Sequence, residues 1–516
     1  MKQPIRPWAA EPVQWMTGSA ASAFDAWAIQ EQGVPQPALM ERAGSAAAQL
    51  VAHLHPRGPV GVLAGKGNNG GDALVVARTL AAWGRDVRLV LVGRAGADPL
   101  LHGWDVPTSV STALDDDALV EVLSGSRVWV DGILGTGISG APRGEAARAI
   151  GSLSYGDAGV VSLDVPSGVD ANTGAAPGPA VAAEVTVAFG VPKLGTLLHP
   201  GRAHTGRLVV VEIGFPPLRA EDVGGVLLSP AWARGRWPRR DAVTHKNRVG
   251  ALALVAGRPG MAGAAVLAAR SALRSGAGYV RLITHPDNRE VVQSALPEAV
   301  FVDGSDAEAV SDALASSKAV AVGPGLGVDE GARALLDAVA SSPLPKVLDA
   351  DALTLLAASG ELESFAGDTV LTPHPGEASR LLGTDVEEVQ ADRPGTAALL
   401  RDRTGVAAVV LKGAPTLVQT GRGLWIDTVG TSDLAVAGMG DTLTGAVGAF
   451  LAQGCPAPEA AGLGLLATGR AAALAARGVG LQASDVPDFI TQALTEAGSE
   501  PGIPIPGVRL DLDAAR

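Results

Sequence analysis

The stretch VGVLAGKGNNGGDALVVARTLAAW, residues 60–83, joins an apolar run to a glycine-rich turn and then to an alanine-rich helical pattern. Its first five residues, Val60–Ala64, are apolar throughout, which is typical of a strand covered by helices on both faces. Gly65, Gly67 and Gly70 match G-x-G-x-x-G, the pattern in which amides at a helix N-terminus bind a pyrophosphate. A structural tight turn without a ligand is the alternative. The stretch therefore predicts an α/β fold with a candidate nucleotide site.

The residues around this turn argue against an ordinary dinucleotide dehydrogenase. The next predicted strand, residues 87–92, ends in Gly93-Arg94, where such enzymes carry an acidic residue for the ribose. Asp72 is placed in the first helical turn, where its charge would repel a phosphate. It would still cap the helix or accept hydrogen bonds from sugar hydroxyls. We therefore expect this turn to bind a nucleotide in another way.

Apolar runs alternate with helical patterns along the whole chain, and at 516 residues the chain exceeds a single hydrophobic core. Further strands are predicted at 128–130, 160–163, 251–256 and 406–411, and helices at 17–32 and 73–83. This alternation predicts two α/β domains, each with a parallel sheet between helices. The predicted boundaries are a domain at 1–216, a linker at 217–228, a domain at 229–497 and a flexible proline-rich tail at 498–516.

The composition excludes several classes of partner. The net charge is -13 and no run of five or more Lys and Arg occurs, so neither a nucleic acid nor an anionic membrane is expected as a partner. No apolar stretch reaches the ~20 residues of a membrane span, and the N-terminus has no apolar signal region. The single cysteine, Cys455, predicts a small apolar packing residue and a reducing cytoplasm. A homo-oligomer is expected.

Two more predicted strands of the first half end in an aspartate followed by glycines. One leads into residues 131–137, DGILGTG, and the other into residues 164–168, DVPSG. Because the carboxyl ends of parallel strands meet at one edge of a sheet, Asp131 and Asp164 are expected to face one crevice. Each alone would be an ordinary helix cap or turn residue. Three such strand ends in one domain favour a functional site.

These motifs, together with residues 39–44 (LMERAG), resemble the epimerase domain of the bifunctional NAD(P)H-hydrate repair enzymes over residues 17–216. The resemblance implies a Rossmann-like three-layer domain that interconverts the R and S hydrates of NADH and NADPH, known as NADHX and NADPHX. It implies that the hydrate is bound by Asn68, Asn69, Gly70, Gly71, Asp72, Gly135, Thr136, Gly137, Ile138, Ser139, Gly140, Ala141 and Asp164. It also implies a potassium ion bound by Asn69, Asp131 and Ser167.

The chemistry of these residues agrees with the implied roles. Hard cations prefer oxygen ligands, and a cation would offset the charge of Asp131 beside a diphosphate. Asp164 is the candidate for proton transfer during epimerisation at C6 of the reduced ring. Ala73 stands where the family commonly has glycine, and a helix is expected to tolerate the extra methyl group.

The second half carries a series of polar strand ends with open interpretations. After His245-Lys246-Asn247, small residues at 257–265 favour close helix packing, although Ala264 is also a candidate ligand contact. His374 and Glu377 would serve as a cap and a favourable helix-dipole charge, or as ligand contacts. Asp349 and Asp351 would be turn residues, or would flank a metal–nucleotide.

The stretch GMGDTL, residues 438–443, opens an apolar helix predicted to end near residue 453. Backbone amides of the Gly438-Met439-Gly440 turn and the helix N-terminus would receive a phosphoryl group. Asp441 would then take a proton from an attacking hydroxyl. A helix cap without chemistry is the alternative for this stretch taken alone.

A second motif follows the strand predicted at 406–411 and offers a cation, a flexible turn and a hydroxyl to a nucleotide: Lys412, Gly413, Ala414, Pro415 and Thr416. Over residues 226–495 the order of motifs resembles the ribokinase-like three-layer fold, and more narrowly the ADP/ATP-dependent (S)-NAD(P)H-hydrate dehydratase. The resemblance implies that Lys412 to Thr416 and Gly440 bind ADP or ATP with Mg²⁺. It implies that Ala264, Gly325, His374 and Asp441 contact the hydrate. Met439 stands where the family usually has Thr or Ser, and modest damage is expected because the backbone donors remain.

Two other functions remain open at this point. One is a vitamin or sugar kinase fused to a nucleotide-binding module, which would form a stable phosphorylated product. The other is a first domain that only binds nucleotide, because a fold alone does not establish turnover.

Overall fold

The computed structural model describes residues 12–94, 98–154, 158–239, 249–495 and 505–514. The chain forms two compact units, Met1–Gly225 with Glu500–Arg516, and Val226–Ser499. The motif His245-Lys246-Asn247 lies outside the described residues.

The strands in chain order are β1 (Gln14–Trp15), β2 (Val60–Ala64), β3 (Val87–Leu91), β4 (Thr108–Val110), β5 (Val128–Gly132), β6 (Gly159–Leu163), β7 (Val185–Phe189), β8 (Arg207–Val211), β9 (Gly225–Leu228), β10 (Ala251–Val255), β11 (Tyr279–Thr284), β12 (Val300–Asp303), β13 (Ala319–Val322), β14 (Lys346–Leu348), β15 (Gly367–Leu371), β16 (Val406–Leu411), β17 (Leu417–Thr420), β18 (Gly423–Asp427) and β19 (Val508–Leu512).

The α-helices in chain order are α1 (Gly18–Gln30), α2 (Gln36–Leu54), α3 (Asn68–Ala82), α4 (Asp116–Leu123), α5 (Gly144–Leu153), α6 (Gly201–Thr205), α7 (Pro230–Ala233), α8 (Ala262–Arg274), α9 (Arg289–Ala295), α10 (Ala307–Ala315), α11 (Glu330–Ser341), α12 (Ala350–Ser359), α13 (Pro375–Leu382), α14 (Val386–Ala391), α15 (Arg393–Thr404), α16 (Met439–Ala452), α17 (Ala457–Ala475) and α18 (Val486–Thr495). Short 3₁₀ turns lie at Pro99–Leu101, Ser111–Ala113, Leu194–Thr196, Pro286–Asn288, Leu362–Phe365, Ser432–Leu434 and Gly478–Gly480.

The first unit is built on a sheet with the strand order β19-β8-β7-β6-β5-β2-β3-β4. All neighbours from β4 to β8 pair in parallel, as the apolar strands predicted. Successive residues of β2 point to different core clusters, Val62 towards α2 and α3 and Leu63 towards α4 and α5. Helices therefore cover both faces. The chain turns to β3 on one side of β2 and to β5 on the other, and ligands bind at such a reversal of strand order.

The end of the chain differs from the flexible tail predicted at 498–516. Residues 508–512 form β19, which pairs antiparallel with β8 at the edge of the first sheet. Val508 is 1% exposed. Arg207 makes two hydrogen bonds of 2.7 and 2.6 Å to the Asp511 carboxylate. Apolar burial and this ion pair order the segment despite its flanking prolines.

The second unit contains a sheet with the order β9-β18-β17-β16-β15-β14-β13-β10-β11-β12. Strands from β12 to β16 pair in parallel, but β16, β17 and β18 form antiparallel pairs, which the prediction of a parallel sheet did not include. Only two residues, Gly421 and Arg422, connect β17 to β18, and so short a connection permits only an antiparallel pair. The predicted linker at 217–228 also ends in a strand, because β9 pairs with β18.

Two predicted helices have different starts from those observed. The helix predicted at 17–32 is α1, which begins after Thr17, whose hydroxyl accepts a hydrogen bond from the Ala20 amide. The helix predicted at 73–83 begins five residues earlier, so residues 68–72 are its first turns and not a loop. Close packing explains the early start, because a Cβ at Gly70 would lie 1.9 Å from the Gly65 carbonyl oxygen.

Within the described residues no helix has both the length and the hydropathy of a bilayer span. Cys455 packs partly buried against the core of the second unit, as its predicted packing role requires. Burial, with a contribution from Glu459, raises the pKa of its thiol to about 12.

Candidate active sites

A cavity of about 1000 Å³ lies in the first unit, at the carboxyl ends of β2, β5 and β6. Eight residues predicted to bind the hydrate line it: Asn68, Asn69, Asp72, Gly135, Thr136, Gly137, Ile138 and Asp164. Three separate sequence motifs therefore meet at one wall. The cavity is also large enough for a dinucleotide-sized ligand.

The other predicted hydrate-binding residues are not part of the lining: Gly70, Gly71, Ser139, Gly140 and Ala141. The two glycines of α3 have a packing role, since a Cβ at Gly71 would lie 2.5 Å from the Met40 methyl carbon. The Ala73 methyl group fits because it faces Gly132, where a Cβ would be only 2.5 Å away. Small residues thus bring α3 against the sheet.

Asp164 lies at the end of β6 with φ = 63°, a left-handed conformation that is uncommon for aspartate. Its carboxylate oxygen Oδ1 accepts hydrogen bonds from the Phe189 amide at 3.1 Å and from the Lys193 ammonium. Lys193 Nζ also donates to the Phe189 carbonyl at 3.1 Å. Lys193 is 4% exposed and lines the cavity. The pair places a buried ammonium and a carboxylate side by side in the cavity wall.

Two further carboxylates, Asp25 and Asp72, face the same cavity. Burial, followed by the charges of Asp164 and Asp25, raises the pKa of Asp72 well above its usual range. Burial also raises the pKa of Asp25, against the lowering effect of Lys193. This end of the cavity therefore holds two carboxyl groups with raised pKa values beside the Asp164–Lys193 ion pair.

Asp131 is fully buried behind this wall, and four hydrogen bonds converge on its carboxylate. The Ser162 and Ser167 hydroxyls donate at 2.8 and 2.6 Å, and the Ser167 and Ile133 amides at 2.9 and 3.2 Å. Burial raises the pKa of Asp131, and these hydrogen bonds oppose the rise. Asn69 donates to the Leu134 and Leu163 carbonyls at 2.6 and 3.1 Å.

The Asn69 amide oxygen Oδ1 is buried and has no hydrogen-bond partner among the described residues. An unpaired buried acceptor is unfavourable unless a ligand satisfies it. The predicted potassium ligands thus comprise one orphan oxygen, one buried carboxylate and one hydroxyl. All are oxygen donors of the kind that a hard cation prefers.

The second site lies at the N-terminus of α16, where Gly438 has φ = 89° and Asp441 occupies the first turn. A Cβ at Gly440 would lie 3.2 Å from Asp349 Oδ2 and 3.5 Å from Lys412 Nζ, so the glycine leaves room beside this pair. Lys412 Nζ donates to Asp349 Oδ1 at 2.7 Å. The Thr444 hydroxyl donates to Asp349 Oδ2 at 2.8 Å. The structure thus brings the two predicted motifs together.

Glu377 and His374 lie on the other side of Lys412. His374 begins α13 with a capping box, in which its Nδ1 accepts from the Gly376 and Glu377 amides and Glu377 accepts from the His374 amide at 2.7 Å. The predicted capping role of His374 is confirmed. Glu377 Oε2 lies 3.8 Å from Lys412 Nζ, so it also belongs to the charged cluster.

The charged groups of this cluster shift one another's pKa values. Burial, followed by the charge of Asp349, raises the pKa of Asp441 to about 7, and burial raises that of Glu377 to about 7. Burial opposes ionisation of Asp349, but the Lys412 ammonium outweighs it and lowers the pKa of that carboxyl. Burial also opposes the charge of Lys412, yet Asp349 and Glu377 raise the pKa of its ammonium. One carboxylate is thus fixed as an anion, while Asp441 can exchange a proton near neutral pH.

The turn at residues 412–416 is held by Arg393, which the sequence did not single out. Its guanidinium donates to the Ala414 carbonyl at 2.9 Å and to the Leu411 and Lys412 carbonyls at 3.3 Å. Burial lowers the pKa of Arg393 to about 10. The Thr416 hydroxyl is directed back to the Gly413 carbonyl at 3.1 Å.

Two remaining predicted contacts of this unit, Ala264 and Gly325, lie next to each other. A Cβ at Gly325, where φ is 55°, would lie 3.1 Å from the Ala264 methyl carbon. Asp351 accepts a hydrogen bond from the Gly327 amide at 2.8 Å, so it is a turn-fixing residue. Met439 packs partly buried against the core, and its side chain occupies no polar position.

Lys193, Asp25, Thr444 and Arg393 are among the polar residues that sequence reasoning missed. Lys193 follows Gly190-Val191-Pro192, a proline- and glycine-containing segment of the kind that marks other strand ends, and this was the available signal. The other three lie inside helices, where nothing in their spacing distinguishes them from surface residues.

Comparisons with known proteins match both halves of the chain. A family model described as NAD(P)H-hydrate dehydratase matches residues 252–494, and one described as the N-terminus of YjeF-related proteins matches residues 36–195. A bifunctional NAD(P)H-hydrate repair enzyme from Moorella thermoacetica is 35% identical over 94% of this chain and 97% of its own length. The enzyme of the same description from Escherichia coli K12 is 37% identical over 85% of each chain. The crystal structure of an ADP/ATP-dependent NAD(P)H-hydrate dehydratase from Bacillus subtilis, with ATP and Mg²⁺, is 29% identical with a TM-score of 0.45, over 52% of this chain and 98% of that one.

Proposed function

The chain belongs to the family of bifunctional NAD(P)H-hydrate repair enzymes, and from that membership we propose how its two units divide the repair. The protein is an isomerase and a lyase that epimerises the hydrates of NADH and NADPH and dehydrates the S form with ADP or ATP. The alternative of a vitamin or sugar kinase is displaced by relatives that match almost the entire chain. We assign epimerisation to the cavity of the first unit and dehydration to the cluster around Asp441.

In the first unit, the cavity would bind the hydrate with its diphosphate near the N-terminus of α3 and its reduced ring near Asp164. Amides at a helix N-terminus favour a phosphate, and Gly135 and Gly137 let a ligand approach the backbone. Asp164 would exchange a proton with the hydroxyl on C6. The supporting observation is that three motifs far apart in sequence line the wall that contains this carboxylate.

Potassium is proposed as the resident cation of this unit. Asn69 Oδ1, a buried acceptor that lacks a partner within the described residues, fits such an ion, as does the charge of Asp131. Ser167 already donates to Asp131 and would contribute its remaining lone-pair density. When bound, the ion would supply positive charge beside the diphosphate.

In the second unit, Asp441 is proposed as the base that takes the proton of the C6 hydroxyl. The hydroxyl oxygen then attacks the terminal phosphoryl group of ADP or ATP, which leaves AMP or ADP. The lone pair of ring nitrogen N1 expels phosphate from C6, and loss of a proton from C5 yields NAD(P)H. The balance closes because water removed from the hydrate ends in the released phosphate.

Other residues of the second unit would stabilise the nucleotide and the charge that develops on it. Lys412 to Thr416 and the Gly440 amide are proposed to contact the nucleotide, which arrives with Mg²⁺ on its phosphates. No group of three His, Cys, Asp or Glu side chains that could hold a metal ion occurs in the described part of the chain. Ala264, Gly325 and His374 are proposed to contact the hydrate.

The observation that carries this assignment is the position of Asp441, next to a Lys412–Asp349 ion pair and a glycine at a helix N-terminus. Recovery of NADH absorbance from a hydrate mixture with ADP or ATP tests it. Asp441→Ala is expected to abolish recovery, and Asp337→Asn, an exposed carboxylate of the same unit, to leave it intact. Undiminished recovery with Asp441→Ala would contradict the assignment of the base.

Epimerisation has its own assay. The protein is mixed with the R hydrate alone, without nucleotide, and formation of the S hydrate is followed. Asp164→Asn is expected to stop it, while the exposed matched variant Asp117→Asn retains it. No epimer from the native chain would reduce the first unit to a binding module. The homo-oligomeric state and the cytoplasmic location remain predictions.

A further inference from the structure

The acidic end of the first unit's cavity contains two aspartates in contrasting surroundings. Asp164 accepts hydrogen bonds from the Lys193 ammonium and the Phe189 amide. Asp72, on α3, forms no ion pair with any described residue. The two carboxyl groups come from different structural elements and line the same space.

Their electrostatics differ accordingly. Burial, then the charges of Asp164 and Asp25, raises the pKa of Asp72 well above its usual range, and Lys193 offsets only part of this rise. The raised pKa of Asp72 favours its protonated form. A carboxylic acid and a carboxylate that share one site, kept apart in protonation by their surroundings, are the arrangement used for paired acid and base catalysis.

The substrate limits what such a pair can do. The hydrate carries a hydroxyl on C6, next to ring nitrogen N1, and inversion at C6 requires cleavage of either C6–O or C6–N1. Loss of the hydroxyl would leave a cation that becomes NAD(P)H as soon as C5 loses a proton. Carboxylates in the cavity would accept that proton, so the first unit would dehydrate its substrate without any nucleotide. Cleavage of C6–N1 avoids this outcome because the oxygen stays on C6.

Resting on the proposed epimerase function, we propose that Asp164 and Asp72 are the base and the acid that invert C6 by opening and reclosing the C6–N1 bond. Asp164 takes the hydroxyl proton and the C6–O bond becomes a carbonyl. The electron pair of the C6–N1 bond moves to N1, which takes the proton of Asp72. The product of this step is an open-chain aldehyde.

Reclosure reverses each transfer on the other face. Rotation about C5–C6 turns the aldehyde, N1 attacks its opposite face and returns its proton to Asp72, and the oxygen takes back the proton from Asp164. Both carboxyl groups regain their starting states, and neither water nor a redox partner is consumed. Lys193 is a positioning residue in this scheme, because its ammonium orients the Asp164 carboxylate.

The fate of the oxygen atom tests the route. Full-length protein converts the R hydrate, labelled with oxygen-18 on C6, in unlabelled water without nucleotide, and the S hydrate is analysed early in the reaction. The expected result is an S hydrate that keeps its label, with no NAD(P)H formed. Loss of label in step with epimer formation, above wash-out without enzyme, would overturn the ring-opening route.

The variants test the assigned groups. Asp72→Asn is expected to slow epimerisation by about 100-fold or more, with hydrate binding close to that of Asp117→Asn and an unfolding temperature that is no lower. Lys193→Met is expected to lower kcat for epimerisation by about 10-fold or more while KM changes little, since Asp164 loses the ammonium that orients it. Lys193→Arg should restore kcat. If Lys193 had only a structural role, kcat per folded molecule would not change in Lys193→Met.

The outcomes distinguish a failure of the epimerase function from a failure of the ring-opening route. A native chain that does not epimerise the R hydrate refutes the proposed function itself. Epimerisation with loss of label refutes only the ring-opening route. Full activity of Asp72→Asn refutes the assignment of the acid.

Discussion

Replacing Asp441 by asparagine is expected to abolish dehydration and, at the same time, to stabilise the second unit at alkaline pH. Burial and the charge of Asp349 raise the pKa of Asp441 in the folded protein from its ordinary value of 3.8 to about 7. A carboxyl group with a raised pKa binds its proton more tightly when folded. Stability therefore falls as pH rises from 3.8 through 7, and the full penalty is present above that range.

The size of the effect follows from the shift. Each pKa unit corresponds to about 1.4 kcal/mol, so a rise from 3.8 to about 7 limits the penalty to about 4 kcal/mol. Neighbouring groups change their own protonation when one charge is removed. We therefore expect Asp441→Asn to recover about half of the penalty, about 2 kcal/mol at pH 8. For a unit of this size that is a rise in Tm of about 4–8 °C. At pH 5 less than half of the penalty is present, so the rise in Tm of Asp441→Asn should be smaller than at pH 8.

Thermal unfolding at pH 5 and pH 8 measures this, with the full-length native chain and Asp337→Asn as references. Asp337 is an exposed carboxylate of α11, so its variant matches the change in charge without a change in the site. NADH recovery from the S hydrate is measured on the same preparations. If Asp441→Asn melted no higher than Asp337→Asn at pH 8, or gained equally at both pH values, the buried-carboxylate argument would be refuted.

Four other predictions concern both units. Dehydration in a single turnover should rise about tenfold between pH 6 and pH 8, because Asp441 must be ionised to act as a base and its pKa is about 7. Lys412→Met should lower dehydration by about 100-fold or more and leave epimerisation unchanged, as measured by the two separate assays. Arg207→Gln should destabilise the first unit by about 2 kcal/mol in denaturant unfolding, since it removes the two charge-assisted hydrogen bonds that the guanidinium donates to Asp511. Asn69→Ala should remove the dependence of epimerisation on KCl concentration; a dependence that survives would exclude Asn69 as a ligand.

Much of the secondary structure could be predicted because apolar runs end sharply at glycines. Val60–Ala64 and Val406–Leu411 were predicted with the bounds that they have in the structure. The start of α3 could not be predicted from propensity, because Gly70 and Gly71 are poor helix formers. Tertiary packing of these glycines against Gly65 and Met40 overrides that preference.

Some site residues could likewise be predicted from the sequence, and others could not. Asp164 and Asp441 stand in motifs next to glycines, and such local patterns are visible in a sequence. The contact between Asp164 and Lys193, 29 residues apart, depends on how two neighbouring strands end in space, which no local pattern specifies. The strand at Val508–Leu512 was not predicted because the prolines before it indicated a flexible tail. Its alternation of apolar and polar residues was a usable signal.

The return of the last strand to the first sheet has a consequence for how the protein is made. A ribosome releases β8 hundreds of residues before it releases β19, so the outer hydrogen-bonding edge of β8 stays open while the whole second unit is synthesised. The first unit therefore reaches its final strand complement only after the whole second unit has been synthesised. A nascent chain stalled after the second unit would expose the unpaired edge of β8, which could pair with strands of other chains.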